Sequence, residues 1–154
     1  MGTTSRPPKW IKPQFTRLVD EAPTGDGWLH EIKYDGYRMH ARIDGRDIKL
    51  LTRTGLDWSH RYRRTIEALG SLKVKSAYLD GELCALNAEG LPVFSRLQAA
   101  MDEGRTDQLI FFAFDLLFLM AWARLNCRSS SARTAATAVQ ERNRRAALQR
   151  ARCR

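Results

Sequence analysis

Residues 31–53 read EIKYDGYRMHARIDGRDIKLLTR, and the later part of this stretch has the pattern of a β-hairpin. In residues 37–43 the odd-numbered side chains are apolar or aromatic and the even-numbered ones are basic. This alternation is typical of a strand that turns one face towards a core. Asp44 and Gly45 separate this run from a second one at residues 48–53, and an Asp-Gly pair in such a place is a strong hairpin signal. The sequence therefore predicts two antiparallel strands.

The rest of the chain predicts a mixture of helices and further strands. Tyr62, Ile66 and Leu69 follow one another at spacings of four and three residues, which indicates an amphipathic helix after a capping residue at Asp57. The other predicted elements are a short helix at 14–22, a strand at 28–33, a strand at 77–86 broken by Asp80-Gly81, a helix at 94–101 and a buried strand at 109–119. Together they predict an α+β domain with mainly antiparallel strands and flanking helices.

Length and composition suit one domain of ordinary size, because the chain has 154 residues, of which 44% are hydrophobic. The sequence has neither an apolar run that could span a bilayer nor the apolar stretch of a secretory signal, so a cytoplasmic location is expected. Cys84, Cys127 and Cys153 lie far apart without metal-binding spacing, which fits a reducing compartment. Cys84 lies in an apolar run and is predicted to be a buried small hydrophobic residue.

The formal net charge of +9 is concentrated at one end of the chain. Residues 121–154 contain nine arginines and a single acidic residue, whereas residues 1–120 contain 17 basic and 16 acidic residues. A strongly basic domain usually indicates a nucleic-acid partner. Here the charge belongs to the C-terminal tail and indicates little about the partner of the folded part.

Residues 33–38, KYDGYR, carry the candidate chemistry. A lysine can attack the α-phosphate of a nucleotide only as a neutral amine, so it needs neighbouring cations or desolvation that favour loss of its proton. Lys33 at the end of a strand, with Arg38 and a metal ion nearby, would have such a setting. Asp35 and Gly36 predict a tight turn that lets the backbone approach a phosphate.

Four segments with related features occur in a fixed order. They are residues 33–38 (KYDGYR), 51–55 (LTRTG), 78–83 (YLDGEL) and 111–117 (FFAFDLL). They resemble, in the same order, the Lys-x-Asp-Gly nucleotidyl-transfer signature, a basic turn, the Asp-Gly-Glu strand and the Phe-Asp-Leu strand of ATP-dependent DNA ligases. The first is most similar to bacterial ligases of non-homologous end joining. The resemblance implies the front part of an adenylation domain, with an ATP-grasp-like nucleotidyltransferase fold.

The resemblance also implies a role for each candidate residue. Lys33 would be the catalytic residue that forms a phosphoramide bond to AMP. Guanidinium groups suit phosphates because they donate hydrogen bonds in a planar fork. The remaining roles would be Glu31, the Ile32 backbone and the Phe114 ring at the adenine, Arg38 and Arg53 at the ribose and phosphates, Glu82 at the ribose or a divalent ion, and Asp35 at metal-bound water.

Each of these residues also has an ordinary structural interpretation. Lys33 and the two arginines can simply be solvated side chains. Phe114 can belong to the core, and Glu82 can be a surface carboxylate. Asp35 and Asp80 can do no more than form turns. The three histidines show no ligand spacing and are assigned no role.

The implied function is transfer of AMP from ATP to Lys33 and then to a DNA 5′-phosphate. With Mg²⁺ or Mn²⁺ this chemistry would seal nicked or broken double-stranded DNA in repair and recombination. Two other classes stay open: a catalytically dead remnant that binds nucleotide or DNA, and an RNA ligase or capping-type nucleotidyltransferase. Salt-dependent DNA binding without AMP transfer would favour the first, and a preference for ribonucleotide strands the second.

The family pattern stops after the fourth segment. Two later elements of ligases, a Glu-Gly strand and a Lys-x-Lys pair that grips the phosphates, do not occur in residues 120–154, which contain no lysine. Removing one group that stabilises a transition state typically costs about 3 kcal/mol. The sequence therefore predicts a truncated adenylation domain with impaired activity.

The end of the pattern has a candidate genetic cause. Loss of one G from codons for Leu-Asp-Gly-Val gives codons for Leu-Met-Ala-Trp, which is how residues 119–122 read. The predicted organisation is a flexible lead-in at 1–13, a partial adenylation domain at 14–119, and a tail at 120–154 that is out of frame or disordered. The alternative is a basic tail that binds nucleic acid in a salt-sensitive way.

Overall fold

A computed structural model describes residues 6–15, 17–28 and 32–121 of the chain. Its centre is a four-stranded sheet in the order β2-β1-β3-β4, and each neighbouring pair is antiparallel. The strands are β1 (Tyr37–Asp44), β2 (Asp47–Thr52), β3 (Val74–Cys84) and β4 (Ile110–Ala121). The helices are α1 (Arg63–Gly70) and α2 (Phe94–Asp102), and single 3₁₀ turns lie at Ser59–Arg61 and Thr106–Gln108. The predicted antiparallel α+β class is confirmed.

The hairpin of β1 and β2 forms as its sequence predicts. Asp44 faces Asp47 across the turn, so two residues connect the strands, and Gly45 has a φ of 63°. A tight hairpin needs backbone with positive φ, which glycine adopts without steric cost. The turn therefore fixes the register of the two strands.

One face of the sheet forms the hydrophobic core under the two helices. Each helix contributes its buried side chains, such as Leu69 from α1 and Leu97 from α2. On β1 the core-facing residues are the odd-numbered ones, as the alternation predicted. The predicted helices at 62–69 and 94–101 and the strand at 109–119 are confirmed within one or two residues at each end. The prediction that Asp57 caps this helix is wrong, because the N-cap of α1 is Tyr62. Asp57 instead accepts hydrogen bonds from the N–H and hydroxyl of Ser59 in the turn before α1.

The predicted break of the third strand at Asp80-Gly81 is wrong. Both residues lie within the continuous strand β3 and pair with β1 on one side and β4 on the other. The glycine allows close approach of β4, because a Cβ at Gly81 would lie 2.5 Å from the Phe112 carbonyl oxygen. A glycine within a strand can thus mark tight packing and need not mark a turn.

Two predicted elements near the N-terminus are also wrong for the residues that are described. Residues 14–15 and 17–22 do not form a helix, and Trp28, Ile32 and Lys33 lie outside any strand. Residues 29–31, the centre of that predicted strand, lie outside the described residues. Local helix propensity and a short alternating run do not determine structure without a partner surface.

The described part of the predicted lead-in contacts the sheet. Pro7 and Pro13 are buried. Backbone carbonyl oxygens of residues 7–14 accept hydrogen bonds from arginine side chains of β1, and one backbone N–H donates to a side chain of β3. The flexibility of this segment stays a prediction. The tail beyond Ala121 lies outside the described residues. Among the helices of the described ranges, none has the length and apolar character needed to cross a membrane.

Strand β4 contains two irregularities. The partner of β3 changes from Phe118 at Tyr78 to Leu116 at Leu79, so that Leu117 is an extra residue. In the same way Phe114 is an extra residue between the partners of Asp80 and Gly81. Bulges of this kind bend a strand and redirect side chains.

Candidate functional site

The face of the sheet opposite the core is polar, and its residues lie in register across three strands. Arg38 of β1 faces Glu82 of β3, which faces Phe112 of β4. In the next row, His40 faces Asp80. The even-numbered basic residues of β1 therefore lie beside the acidic residues of the Asp-Gly-Glu segment.

Arg38 is held by a bidentate ion pair. Its Nε and Nη2 donate to the two carboxylate oxygens of Asp80 at 3.1 and 2.7 Å, and its Nη1 donates to the Gln14 carbonyl oxygen at 2.8 Å. The Asp80 interaction raises the pKa of Arg38 further, although burial opposes this. A guanidinium has five N–H donors, so two stay available for a ligand. The side chain is 25% exposed and can reach one.

Asp80 is a buried carboxylate that its neighbours keep ionised. Burial by itself would raise its pKa, but the interactions with His40 and Arg38 outweigh burial and lower the pKa. His40 is fully buried, and its Nδ1 lies 2.9 Å from the Tyr78 hydroxyl. Its Nε2 lies 3.4 Å from Asp80 Oδ1, a contact too poorly aligned to be a hydrogen bond. The His40 ring is therefore hydrogen-bonded to Tyr78 on one side and lies close to the Asp80 carboxylate on the other.

Lys33 lies in the segment that enters β1, and its side chain is exposed. The charges of Lys33 and Arg38 act on Glu82, as does the backbone N–H of Gly36. Burial has the largest effect on Glu82 and raises the pKa of its carboxyl, against these three influences. The structure thus places the predicted nucleophile near a half-buried carboxylate on β3.

Gly36 lets this segment lie directly on β3. A Cβ at position 36 would overlap the Leu83 carbonyl oxygen and lie 2.8 Å from the Cys84 sulfur. The Cys84 thiol is buried, as predicted, and burial raises its pKa to about 12, with Glu82 and Asp35 adding to the effect. The close contact explains the glycine of the Lys-x-Asp-Gly segment in steric terms.

Other predicted residues lie around this point. Asp35 and Ile32 are exposed, and Ile32 is 77% exposed. Glu31 lies outside the described residues. Arg53 follows the end of β2, in a turn closed by the Gly55 N–H that donates to the Thr52 carbonyl oxygen at 2.8 Å. Thr52 pairs with Met39 near the start of β1, so this turn lies at the same end of the strands as residues 33–36, the entry segment that leads into β1.

Phe114 lies at one of the two bulges of β4 and is partly exposed. The Arg38 guanidinium carbon lies 5.8 Å from the centre of its ring, at the outer limit of a cation–π contact. An aromatic pair lies in the neighbouring row, where Tyr34 stacks on Phe112 with 4.5 Å between ring centres. Aromatic side chains from β4 and from the segment that enters β1 thus lie beside the polar residues.

Sequence reasoning missed three participants: His40, Tyr78 and Tyr34. Alternation along β1 had already placed His40 between Arg38 and Arg42 on one face. The signal for Tyr78 and Asp80 is the same alternation along β3, which the Asp-Gly pair concealed. No local pattern predicted that Tyr34 stacks on Phe112, since the contact joins residues far apart in sequence.

In the described part of the chain, protein side chains alone do not form a metal site. Among the described residues, no group of three or more histidine, cysteine, aspartate or glutamate side chains could hold a metal ion. Magnesium usually keeps several waters and binds through one or two carboxylates together with substrate phosphates. Glu82 and Asp35 fit that mode of binding and do not fit a cage made only of protein ligands.

The antiparallel sheet with its two helices has the fold of part of a DNA ligase adenylation domain. A family model described as the ATP dependent DNA ligase domain matches residues 12–152. The chain belongs to this family of ATP-dependent DNA ligase domains.

Individual relatives agree with the family. The multifunctional non-homologous end joining protein LigD of Pseudomonas aeruginosa is 43% identical over 109 residues, which are 71% of this chain and 13% of that protein. The DNA repair protein LigD of Mycobacterium tuberculosis is 36% identical over 101 residues, which are 66% of this chain and 13% of that protein. The crystal structure of the ligase domain of M. tuberculosis LigD matches with a TM-score of 0.54 and 32% identity, over 72% of this chain and 36% of that one.

A second solved structure, a mycobacterial DNA ligase D complexed with ATP and MES, matches with a TM-score of 0.52 and 32% identity. This match too covers 72% of this chain and 36% of the other chain. The chain thus spans 13% of the full-length LigD relatives and 36% of the solved ligase domains.

Proposed function

We propose that the end of the polar face that carries Arg38 and Glu82 binds ATP and that Lys33 receives AMP from it. One observation carries this proposal. Lys33, Arg38 and Glu82 lie close together where β1 begins and β3 nears its end, in a chain of the DNA ligase family. The likeness to a ligase D solved with ATP supports the choice of nucleotide. The proposed sequel is transfer of AMP to the 5′-phosphate of broken double-stranded DNA in the cytoplasm.

The proposed first step is a displacement at the α-phosphorus of ATP. The neutral Lys33 amine forms a phosphorus–nitrogen bond, the bond from the α-phosphorus to the bridging oxygen breaks, and pyrophosphate leaves with that oxygen. The amine loses its proton to solvent. Positive groups near the reacting phosphate favour this step, because they stabilise the charge that develops there.

Each neighbouring side chain has a proposed task. The two free N–H donors of Arg38 bind phosphate or ribose oxygens, and exposed Arg53 adds a second guanidinium at the same edge. Phe114 stacks on the adenine, which Glu31 and the Ile32 backbone also contact. Glu82, whose raised pKa reflects its burial, binds the ribose or a divalent ion.

Magnesium or manganese fits the carboxylates at this edge. Glu82 faces Arg38 near the start of β1, and Asp35 directly precedes Gly36, where the chain lies on β3. Either carboxylate would hold the ion together with phosphate oxygens of the nucleotide. The ion would supply neutralisation of phosphate charge.

The test is the intact mass of the chain after incubation with ATP and Mg²⁺. We expect a gain of one AMP in the wild type and none in Lys33→Ala or Lys33→Arg, since arginine keeps the charge but is not a nucleophile. Lys73→Ala is the matched control, because Lys73 is another exposed lysine, located between α1 and β3.

The outcomes separate the candidate functions. An AMP adduct that persists in Lys33→Arg would contradict the assignment of Lys33. A folded wild-type chain without an adduct would contradict AMP transfer by this chain, and would leave a nucleotide- or DNA-binding remnant as its function. Retention of the adduct in Lys73→Ala shows that the effect is specific to position 33.

A further inference from the structure

Residues 7–14 form a strap across the polar face of the sheet. Arg42 donates to the carbonyl oxygens of Pro7 and Pro8 at 3.4 and 3.0 Å, at one end of the strap. In its middle, the Ile11 N–H donates to the Tyr78 hydroxyl at 3.1 Å. At its other end, the Gln14 carbonyl oxygen accepts from Arg38 at 2.8 Å.

The contacts occur in chain order along β1 and β3. Arg42 and Tyr78 face each other in the register, and Arg38 lies four residues before Arg42 on the same face. The strap therefore runs from near the hairpin end of β1 towards the start of β1, which follows Lys33 in the chain. Its last bond is to Arg38, the arginine to which the proposed function assigns phosphate or ribose contact.

The strap also contacts the turn that carries Arg53. A Cβ at Gly55 would lie 3.2 Å from the indole ring of Trp10, so the tryptophan lies against the backbone of this turn. Gly55 has a φ of 86°, which also favours glycine. The strap thus joins the two segments that hold the candidate arginines.

A buried polar chain connects the middle of the strap to Arg38 by a second route. The Tyr78 hydroxyl binds Ile11 on one side and His40 on the other, and His40 lies 3.4 Å from Asp80. Asp80 holds two of the donor nitrogens of Arg38. Two routes from the strap therefore reach the same guanidinium.

We infer that the strap fixes the position of the Arg38 guanidinium, with Trp10, Tyr78 and His40 as positioning residues. The inference rests on the proposed function only for the identity of the ligand. An arginine side chain left free would lose rotational freedom on binding a phosphate, at a cost in affinity. The strap and Asp80 hold Arg38 in one orientation before the ligand arrives, so its two free donors are already directed.

The first test measures hydrogen exchange of the Arg38 Nε–H and the Ile11 amide by NMR in the full chain. Tyr78→Phe removes only the hydroxyl, and we expect exchange at both sites to accelerate about tenfold, the usual consequence of losing one hydrogen bond. Tyr62→Phe is the matched control, because Tyr62 is buried on the core face, where its hydroxyl contacts the Met101 sulfur. We expect this control to leave both rates unchanged.

A second variant separates the strap from the buried polar chain. Trp10→Ala loosens the strap by removing the ring that lies against Gly55, and the Trp10 side chain is 39% exposed. We expect faster exchange at Ile11 and at Arg38, whereas Trp28→Ala, which removes a tryptophan that is 59% exposed, changes neither. An unchanged Arg38 rate in Trp10→Ala, beside a faster Ile11 rate, would overturn the inference.

The ATP dependence of AMP transfer distinguishes a misplaced Arg38 from a simple loss of folded protein. We expect Tyr78→Phe and Trp10→Ala to raise the ATP concentration for half-maximal Lys33 adduct several-fold, since an arginine without fixed orientation binds more weakly. Fewer folded molecules would lower the final amount of adduct and leave that concentration unchanged. If the wild type forms no adduct but exchange at Ile11 and Arg38 is coupled, the strap is supported and the proposed AMP transfer fails.

Discussion

Single residues of the entry segment determine how closely the candidate site around Lys33 lies against β3. Gly36 is the clearest case, because a Cβ at this position would overlap the Leu83 carbonyl oxygen and crowd the Cys84 sulfur, while its N–H acts on Glu82. Steric fit and electrostatics thus meet at one position. The Asp-Gly pair that the sequence suggested as a turn is also the point where Lys33 is brought to β3.

Gly36→Ala should destabilise the fold and impair AMP transfer together. The added Cβ overlaps backbone that cannot move without breaking β3, and overpacking of this kind costs about 1–3 kcal/mol. The free energy of unfolding in urea measures the first effect, and the rate of Lys33 adduct formation measures the second.

Gly27→Ala is the matched control for Gly36→Ala. A Cβ at Gly27 would meet no heavy atom within 4 Å. We expect a change of less than about 0.5 kcal/mol for a surface substitution of this kind. Equal effects of the two substitutions would show that close contact with β3 is not what requires glycine at position 36.

At the level of elements, β1 and β3 form a ladder with a core on one face and charges on the other. The Arg38–Asp80 pair bridges these central strands, and Asp80 is 4% exposed. A buried carboxylate with a lowered pKa contributes stability above its unfolded pKa of about 3.9, and this is lost as the pH falls through the folded value. The ladder therefore has an acid-sensitive component.

Asp80→Asn should lower the free energy of unfolding at pH 7 by about 3 kcal/mol, because it leaves Arg38 and buried His40 without a carboxylate. The difference from the wild type should begin to shrink below about pH 4, the pKa of an unfolded aspartate, and should be lost as the pH falls through the lower pKa of folded Asp80. Urea unfolding between neutral and acid pH measures both effects.

Asp47→Asn provides the comparison for this prediction. Asp47 also pairs with an arginine, Arg42, but its side chain is 59% exposed, so little change is expected. A difference between Asp80→Asn and the wild type that stays constant into acid would contradict the role given to the Asp80 charge.

Some elements could be predicted from the sequence and others could not, for physical reasons. The hairpin of β1 and β2 and the helices α1 and α2 were predictable because turn chemistry and spacing are local. The strap was not, because residues 7–14 have no regular structure and are held by distant side chains such as Arg42 and Tyr78. For the candidate site, the sequence indicated Lys33, Arg38 and Glu82, whereas the link through His40 needed the register of β1 against β3.

The whole described molecule is a sheet with helices on one face, and β4 is an edge strand in the part of the chain that the structure covers. Its 12 residues include Leu117, which is 44% exposed at a bulge. A long apolar edge strand can pair with another molecule, and natural proteins often place charges at such edges. The chain should therefore associate at high concentration.

Leu117→Lys should reduce this association without loss of the fold. A charge on the edge strand opposes pairing between copies, and the exposed position tolerates a long polar side chain. Light scattering as a function of protein concentration measures association, and circular dichroism verifies the fold.

The control for Leu117→Lys is Leu91→Lys, at a leucine that is 61% exposed and lies outside the four strands. It adds the same charge at a distance from the edge. If both substitutions reduce association equally, net charge would be responsible and not the edge of β4.

The two bulges of β4 have a consequence for how this domain can change in evolution. On β1, and on β3 beyond its own irregularity at Lys75, one residue inserted or deleted would exchange the two faces, burying charges and exposing the core in a single event. At Phe114 and Leu117 the strand already accommodates an additional residue, and pairing with β3 resumes on the far side. Insertions and deletions in descendants of this sequence should therefore be found in β4 and in the loops, while the central pair of strands varies by substitution alone.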